Sequence, residues 1–134
     1  MSGDQPASLS DGAARGNQIR REVLGDAYVD RALATADEFG APLQAFVAEH
    51  CWGGVWARPG LDRKTRSLLN LVMLTALNRP HELRIHVRGA VNNGCTVDEI
   101  REALLHATVY CGVPAGVDAF RSAREELREL GLLD

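Results

Sequence analysis

The chain has 134 residues, 46% of them hydrophobic and 25% charged, and 15 Lys and Arg against 18 Asp and Glu give a formal net charge of -3. That length and balance suit one soluble domain, able to bury a core without disulfides or a structural metal. The acidic balance and the lack of any dense Lys/Arg block exclude a nucleic-acid partner, and the longest mostly apolar run, Leu68 to Leu77, is about half of what a membrane span needs.

Cys51, Cys95 and Cys111 are too few and too far apart for a disulfide framework or a Cys-based zinc site, so free thiols in a reducing cytoplasm are expected. Residues 1–16 are small, polar and Gly-rich; they have no apolar segment of the kind a secretory signal needs and read as a flexible arm ahead of a domain over 17–134.

From there the spacing is helical almost throughout, and no alternating β-branched run suggests a sheet. A short helix fits Gln18 to Leu24, stopped by Gly25-Asp26, and a second fits Ala27 to about Glu38. A third fits Pro42 to His50, with proline at its first turn. The segment CWGGVWARPGLD then breaks the pattern with Gly53-Gly54 and Pro59-Gly60. Asp62 caps the next helix, Arg63 to Asn78, whose leucines surround it and point to the centre of a bundle. Arg63, Lys64 and Arg66 crowd its first turn, where the helix dipole favours acids, so these cations answer either to solvent or to groups outside the helix.

Pro80 opens a helix that runs to Gly94, and Thr96-Val97-Asp98-Glu99 is a capping box for the one after it. Gly112-Val113-Pro114 closes that helix, and a last amphipathic one reaches about Leu130. The fold expected is all-α, a single-domain bundle of six to seven helices.

The stretch HELRIH looks like a zinc motif with one residue too many. At 100° per residue His81 and His86 stand about 140° apart on a helix, so they cannot chelate one metal, and no metal is expected. Glu82 and His86 are four apart and share a face beside the expected buried stripe of Leu83, Val87, Ala90 and Val91. A carboxylate there would fix the imidazole tautomer and raise its pKa for acid–base work; an ordinary intrahelical pair is the other reading. His50 and His106 read as core-edge histidines, and His81 as an exposed one.

The runs GLDRKTRSLLNLVMLTAL and HELRIHVRGAVNNGCTVDEIREALLHATVYCGVPAG resemble the carboxymuconolactone decarboxylase family, and RREVLGDAYVDRAL and WGGVWARPGLDR resemble its branch acting on 4-carboxymuconolactone. The resemblance covers about residues 16–130. It implies an alkylhydroperoxidase D-like helical fold and a ring-like homo-hexamer. It also implies a step of bacterial protocatechuate breakdown (the β-ketoadipate pathway) in which 4-carboxymuconolactone loses carbon dioxide to give 3-oxoadipate enol-lactone.

The peroxidase relatives carry a Cys-x-x-Cys pair ahead of the same histidine; Arg79 and Glu82 hold those places here, so thiol chemistry is disfavoured. In such a lactone, electrons released by C–CO₂ cleavage flow through the C=C bond into the carbonyl, so no cofactor is required. The expected site is His86 as proton donor oriented by Glu82, Arg66, Arg63 and Arg79 for the carboxylates, and Trp52, Trp56 and Tyr110 as pocket lining, with Tyr110 a candidate oxyanion donor. Two alternatives stay open: an enzyme of the same fold acting on another lactone or a peroxide-linked substrate, and a non-catalytic oligomeric binding protein.

Overall fold

Ser10 starts the described chain's first helix, its hydroxyl accepting from the Ala13 amide at 3.1 Å. The computed structural model describes residues 9–134. Among them there are seven α-helices, one π-helical stretch and no strand. The helices are α1 (Asp11–Leu24), α2 (Asp26–Ala34), α3 (Ala41–Phe46), α4 (Arg63–Ala76), α5 (Pro80–Asn92), α6 (Val97–Cys111) and α7 (Val113–Glu129); the π-helical stretch, Val47–Trp56, continues α3. The all-α bundle expected from the sequence is therefore found. The chain divides into two compact units, one up to Pro59 and one from Gly60 to Asp134.

In the first unit, two expectations are corrected. The arm was expected to reach residue 16, but α1 already begins at Asp11; the expectation for residues 1–8 lies outside the described chain. The glycines read as breakers instead let helices approach closely. A β-carbon on Gly16 would collide with the Ala48 carbonyl, and one on Gly53 would collide with the Gly12 carbonyl. The small residues of α1 thus lie directly against the π-helical stretch, where Gly53 of the segment expected to break the helical pattern faces another backbone instead.

Arg20 is 7% exposed and its Nη1 donates to Gln44 Oε1 of α3 at 2.8 Å. Arg21 bridges to Asp30 of α2 at 2.7 Å across the Gly25 turn, whose φ of 93° suits glycine.

The second unit packs α4 to α7 around Leu71, Leu83, Val87, Ile100, Leu104 and Leu127. Its helix boundaries follow local chemistry that is visible in the sequence. Asp62 accepts from the Thr65 amide at 2.7 Å, and Thr96 with Glu99 forms the reciprocal capping box. Gly112, with φ 105°, turns α6 into α7. The α4 helix is not apolar all round in its setting: Leu69 and Met73 are 46% and 51% exposed and Leu77, which caps it, 61%, so one side of it faces outward.

Helix α7 is tied to α5 by ions. Glu126 is 5% exposed and accepts from Arg88 Nε at 2.8 Å and Arg84 Nε at 3.2 Å, while Glu129 takes Arg84 Nη2 at 3.0 Å. One buried carboxylate facing two partly wet guanidiniums fixes the register of the two helices.

Candidate functional site

Helices α4 and α5 run antiparallel, and three polar contacts set how they meet. Asn93 Nδ2 donates to Ser67 Oγ at 2.8 Å and to the Arg63 carbonyl at 3.3 Å, closing one end. Further along, Asn70 Nδ2 stands 3.3 Å from His86 Nδ1. Ser67 is fully buried, so the pairing of its hydroxyl is necessary as well as directive.

Arg63, Arg66 and Asn70 lie within about 60° of one another around α4, and Arg66 is one turn from Asn70. This face therefore leads from two guanidiniums to the amide that touches His86. Of the three crowded cations, Lys64 finds a partner across the unit: its Nζ is 2.7 Å from Glu99 of α6. That pairing, seen from the lysine, pushes its pKa up, and seen from the glutamate holds the carboxyl below its usual range.

His86 is mostly buried, and that burial, by penalising the charged ring, lowers its pKa from the ordinary 6.5 to about 4. This corrects the expected direction. Glu82 is exposed at the start of α5, and the contact at His86 Nδ1 comes from Asn70 of the neighbouring helix. A spacing of four residues allows a pair on a helix, but here the ring leans toward α4 and the carboxylate toward water.

Arg79 caps α5, following Asn78 at φ 55°, and its Nη1 donates to the Leu77 carbonyl at 3.0 Å. It lines a separate pocket of about 290 Å³ with Thr75, Asp118, Arg121 and Ser122; His86 is not part of that wall. Tyr110 is 79% exposed, beside His106 with ring centres 5.1 Å apart. His106 is itself exposed, as is His50, which lies 4.8 Å from Phe46, so neither is the core-edge residue expected.

Trp52 and Trp56 belong to the first unit, where they stack at 4.8 Å with an angle of 27° and are 4% and 6% exposed. All three cysteines are free thiols. Cys95 is buried, and its pKa is pushed up to about 11 by that burial and by Glu99. Among the described residues no group of three His, Cys, Asp or Glu side chains is gathered as a metal site would need.

Asn70 escaped the sequence reading. The available signal was a polar residue in SLLNLVML on the same face as Arg63 and Arg66. Its partner 16 positions later could not be read from helical spacing, because the contact joins two helices.

The family model of the carboxymuconolactone decarboxylase family matches residues 41–125. The chain belongs to the carboxymuconolactone decarboxylase family. A 4-carboxymuconolactone decarboxylase of Acinetobacter baylyi is 44% identical over 118 residues, covering 88% of each chain. A nitrosuccinic acid decarboxylase of Metarhizium robertsii is 47% identical over 115 residues, 86% of this chain and 80% of its own. Decarboxylation is the named activity of both relatives. No described helix is long and apolar enough to cross a membrane.

Proposed function

We propose that this protein is a carboxy-lyase that decarboxylates 4-carboxymuconolactone to 3-oxoadipate enol-lactone. The observation that carries the reading is the α4 face on which Arg63 and Arg66 lead to Asn70 and the partly buried His86, in a chain similar along most of its length to a decarboxylase of that lactone. The substrate carries two carboxylates, and planar guanidiniums pair with carboxylates through two parallel hydrogen bonds. Arg66 is the first choice for the departing carboxylate's neighbourhood, with Arg63 beside it. Arg79, which lines a pocket whose wall does not include His86, is the weaker candidate of the three.

In the reaction the C–CO₂ bond breaks and its electron pair moves through the C=C bond to the lactone carbonyl. The resulting dienolate takes one proton at the ring carbon, so one proton is consumed per carbon dioxide released. The protein's tasks are to hold the dianion, keep water from its carbonyl and place a donor at the oxygen where charge develops. His86 is the candidate for the last task, Glu82 remains a candidate at the rim of α5, and Trp52, Trp56 and Tyr110 remain candidates for the lining.

A second reading has its own support: the nitrosuccinic acid decarboxylase relative is 47% identical. Nitrosuccinic acid is also a dicarboxylate, and its nitro group can accept the electron pair as the lactone carbonyl does. Carbon dioxide release from freshly generated 4-carboxymuconolactone and from nitrosuccinate, measured side by side, tests both. Turnover of the lactone at least tenfold faster than nitrosuccinate supports the main reading, and the reverse order replaces it.

The protein works as a homo-oligomer, a hexamer by its family resemblance, in the cytoplasm. What supports assembly is an apolar stripe along α6 and into α7, where Leu105, Val109, Tyr110, Val113 and Val117 are all exposed, Val109 by 80%. Free thiols suit a reducing compartment. Light scattering on the purified chain and on Val109→Lys tests the assembly; a monomer for wild type overturns it.

A further inference from the structure

We infer that His86 acts as an uncharged N–H donor rather than as an imidazolium acid, and that Asn70 is the positioning residue that sets it in the required tautomer. The inference deepens the decarboxylase reading, since a donor needs an oxygen that gains charge during the reaction.

A primary amide can meet an imidazole nitrogen in two ways. With its NH₂ toward the ring, the ring nitrogen accepts; with its carbonyl toward the ring, the ring nitrogen must carry a proton. Here Nδ2 of Asn70 is the atom at 3.3 Å from Nδ1 of His86. Nδ1 then accepts, and the single proton of the neutral ring sits on Nε2.

The same contact opposes ring protonation. An imidazolium carries protons on both nitrogens, so with the amide oriented as it is its Nδ1–H would face the N–H of Asn70, donor against donor. Burial of the ring works in the same direction, keeping the pKa near 4. A proton donor at neutral pH would call for the opposite device, a carboxylate at Nδ1, and the one nearby on α5, Glu82, is exposed. The Nε2–H of a neutral imidazole is only a very weak acid, so its role here is that of a fixed dipole toward a developing enolate oxygen. The proton that reaches the ring carbon then comes from water, with hydroxide left to solvent, which keeps the reaction balanced.

Two measurements decide this. The first needs no substrate: long-range ¹H–¹⁵N correlation spectra of the imidazole in the free protein at pH 7. The expected pattern is the neutral Nε2–H tautomer in wild type and a loss of that single-tautomer pattern in Asn70→Asp, whose carboxylate favours Nδ1–H. An imidazolium or an Nδ1–H tautomer in wild type overturns the inference. The second compares His86→Gln with His86→Ala. The glutamine amide can place an N–H near the position of Nε2–H but cannot serve as an acid, so it should retain at least about tenfold more kcat than alanine. Equal loss in both overturns the neutral-donor role.

Asn70→Leu, close to isosteric, should lower kcat about tenfold while KM stays within about threefold, as expected for a group that acts through His86 and not on bound substrate. A change confined to KM overturns its assignment. If wild type turns over neither the lactone nor nitrosuccinate, the functional proposal falls, and the spectra alone then decide the state of His86.

Discussion

The two units of this chain bury comparable aliphatic side chains but differ in how their helices meet. The first brings α1 against the π-helical stretch through glycine and alanine, backbone to backbone, with a stacked tryptophan pair as its large apolar element. The second interleaves leucine, isoleucine and valine from four helices and adds polar cross-links at chosen points. Close backbone contact leaves no slack, because neither partner can rotate away. Side-chain packing tolerates adjustment but leaves direction to hydrogen bonds. The histidine with the perturbed pKa is in the second kind of unit, where a side chain can be aimed by a neighbouring helix.

The largest test of that contrast is functional. His86→Ala should reduce kcat by about a hundredfold or more while the fold and assembly state persist, because the ring's burial is partial and its loss leaves the leucine core in place. Steady-state carbon dioxide release with parallel light scattering measures it, and near-wild-type turnover would remove His86 from the site.

Next in size is the backbone approach. Gly16→Ala should destabilise the protein by about 3 kcal/mol, since the added methyl meets the Ala48 carbonyl on a neighbouring backbone. Gly60→Ala, where a β-carbon meets nothing within 4 Å, is the control and should shift stability by no more than about 0.5 kcal/mol. Hydrogen exchange should show the loss in residues of α1 and the π-helical stretch first. Uniform loosening of both units would break the comparison.

Acid should act through the second unit. Unfolded His86 binds a proton below its ordinary pKa of 6.5, whereas the folded ring does so only near 4. Between those values the unfolded state holds more protons, so this contribution to stability is lost as pH falls through that window. Between pH 7 and pH 4.5 wild type should lose about 2 to 3 kcal/mol more than His86→Gln in urea unfolding. Equal losses would mean that the imidazole is not sheltered from water.

A smaller effect is expected from the ionic link of α5 and α7. Glu126→Leu should cost about 1 to 2 kcal/mol, less than a fully buried pair, because the Arg84 and Arg88 side chains are 36% and 39% exposed and can return to water. The smallest concerns the thiols. Cys111 should react with iodoacetamide well before Cys95, whose pKa near 11 keeps it protonated, and alkylation should leave turnover within about twofold. Loss of turnover on alkylation would instead favour the peroxide-linked alternative.

Much of the second unit was legible because its signals are local. Asp62, the Thr96–Glu99 box and Gly112 mark helix ends through contacts within a few residues, and Leu83, Val87 and Ala90 mark a buried stripe by period alone. The first unit was harder to read. Gly53 and Gly54 have the composition of a break, and only a second backbone lying against Gly53 shows that they belong to a helix. Glu82 and His86 have the spacing of a pair, yet spacing states what can meet and not what does.

By itself, then, the sequence determined an all-helical chain and the helices of its second half, since periodicity and capping depend on near neighbours. Tertiary structure alone decided that Asn70, 16 residues away, is the group at Nδ1, and that burial drives the imidazole toward its neutral form. Those outcomes depend on how α4 faces α5, and the free energy of a charge depends on everything that displaces water around it.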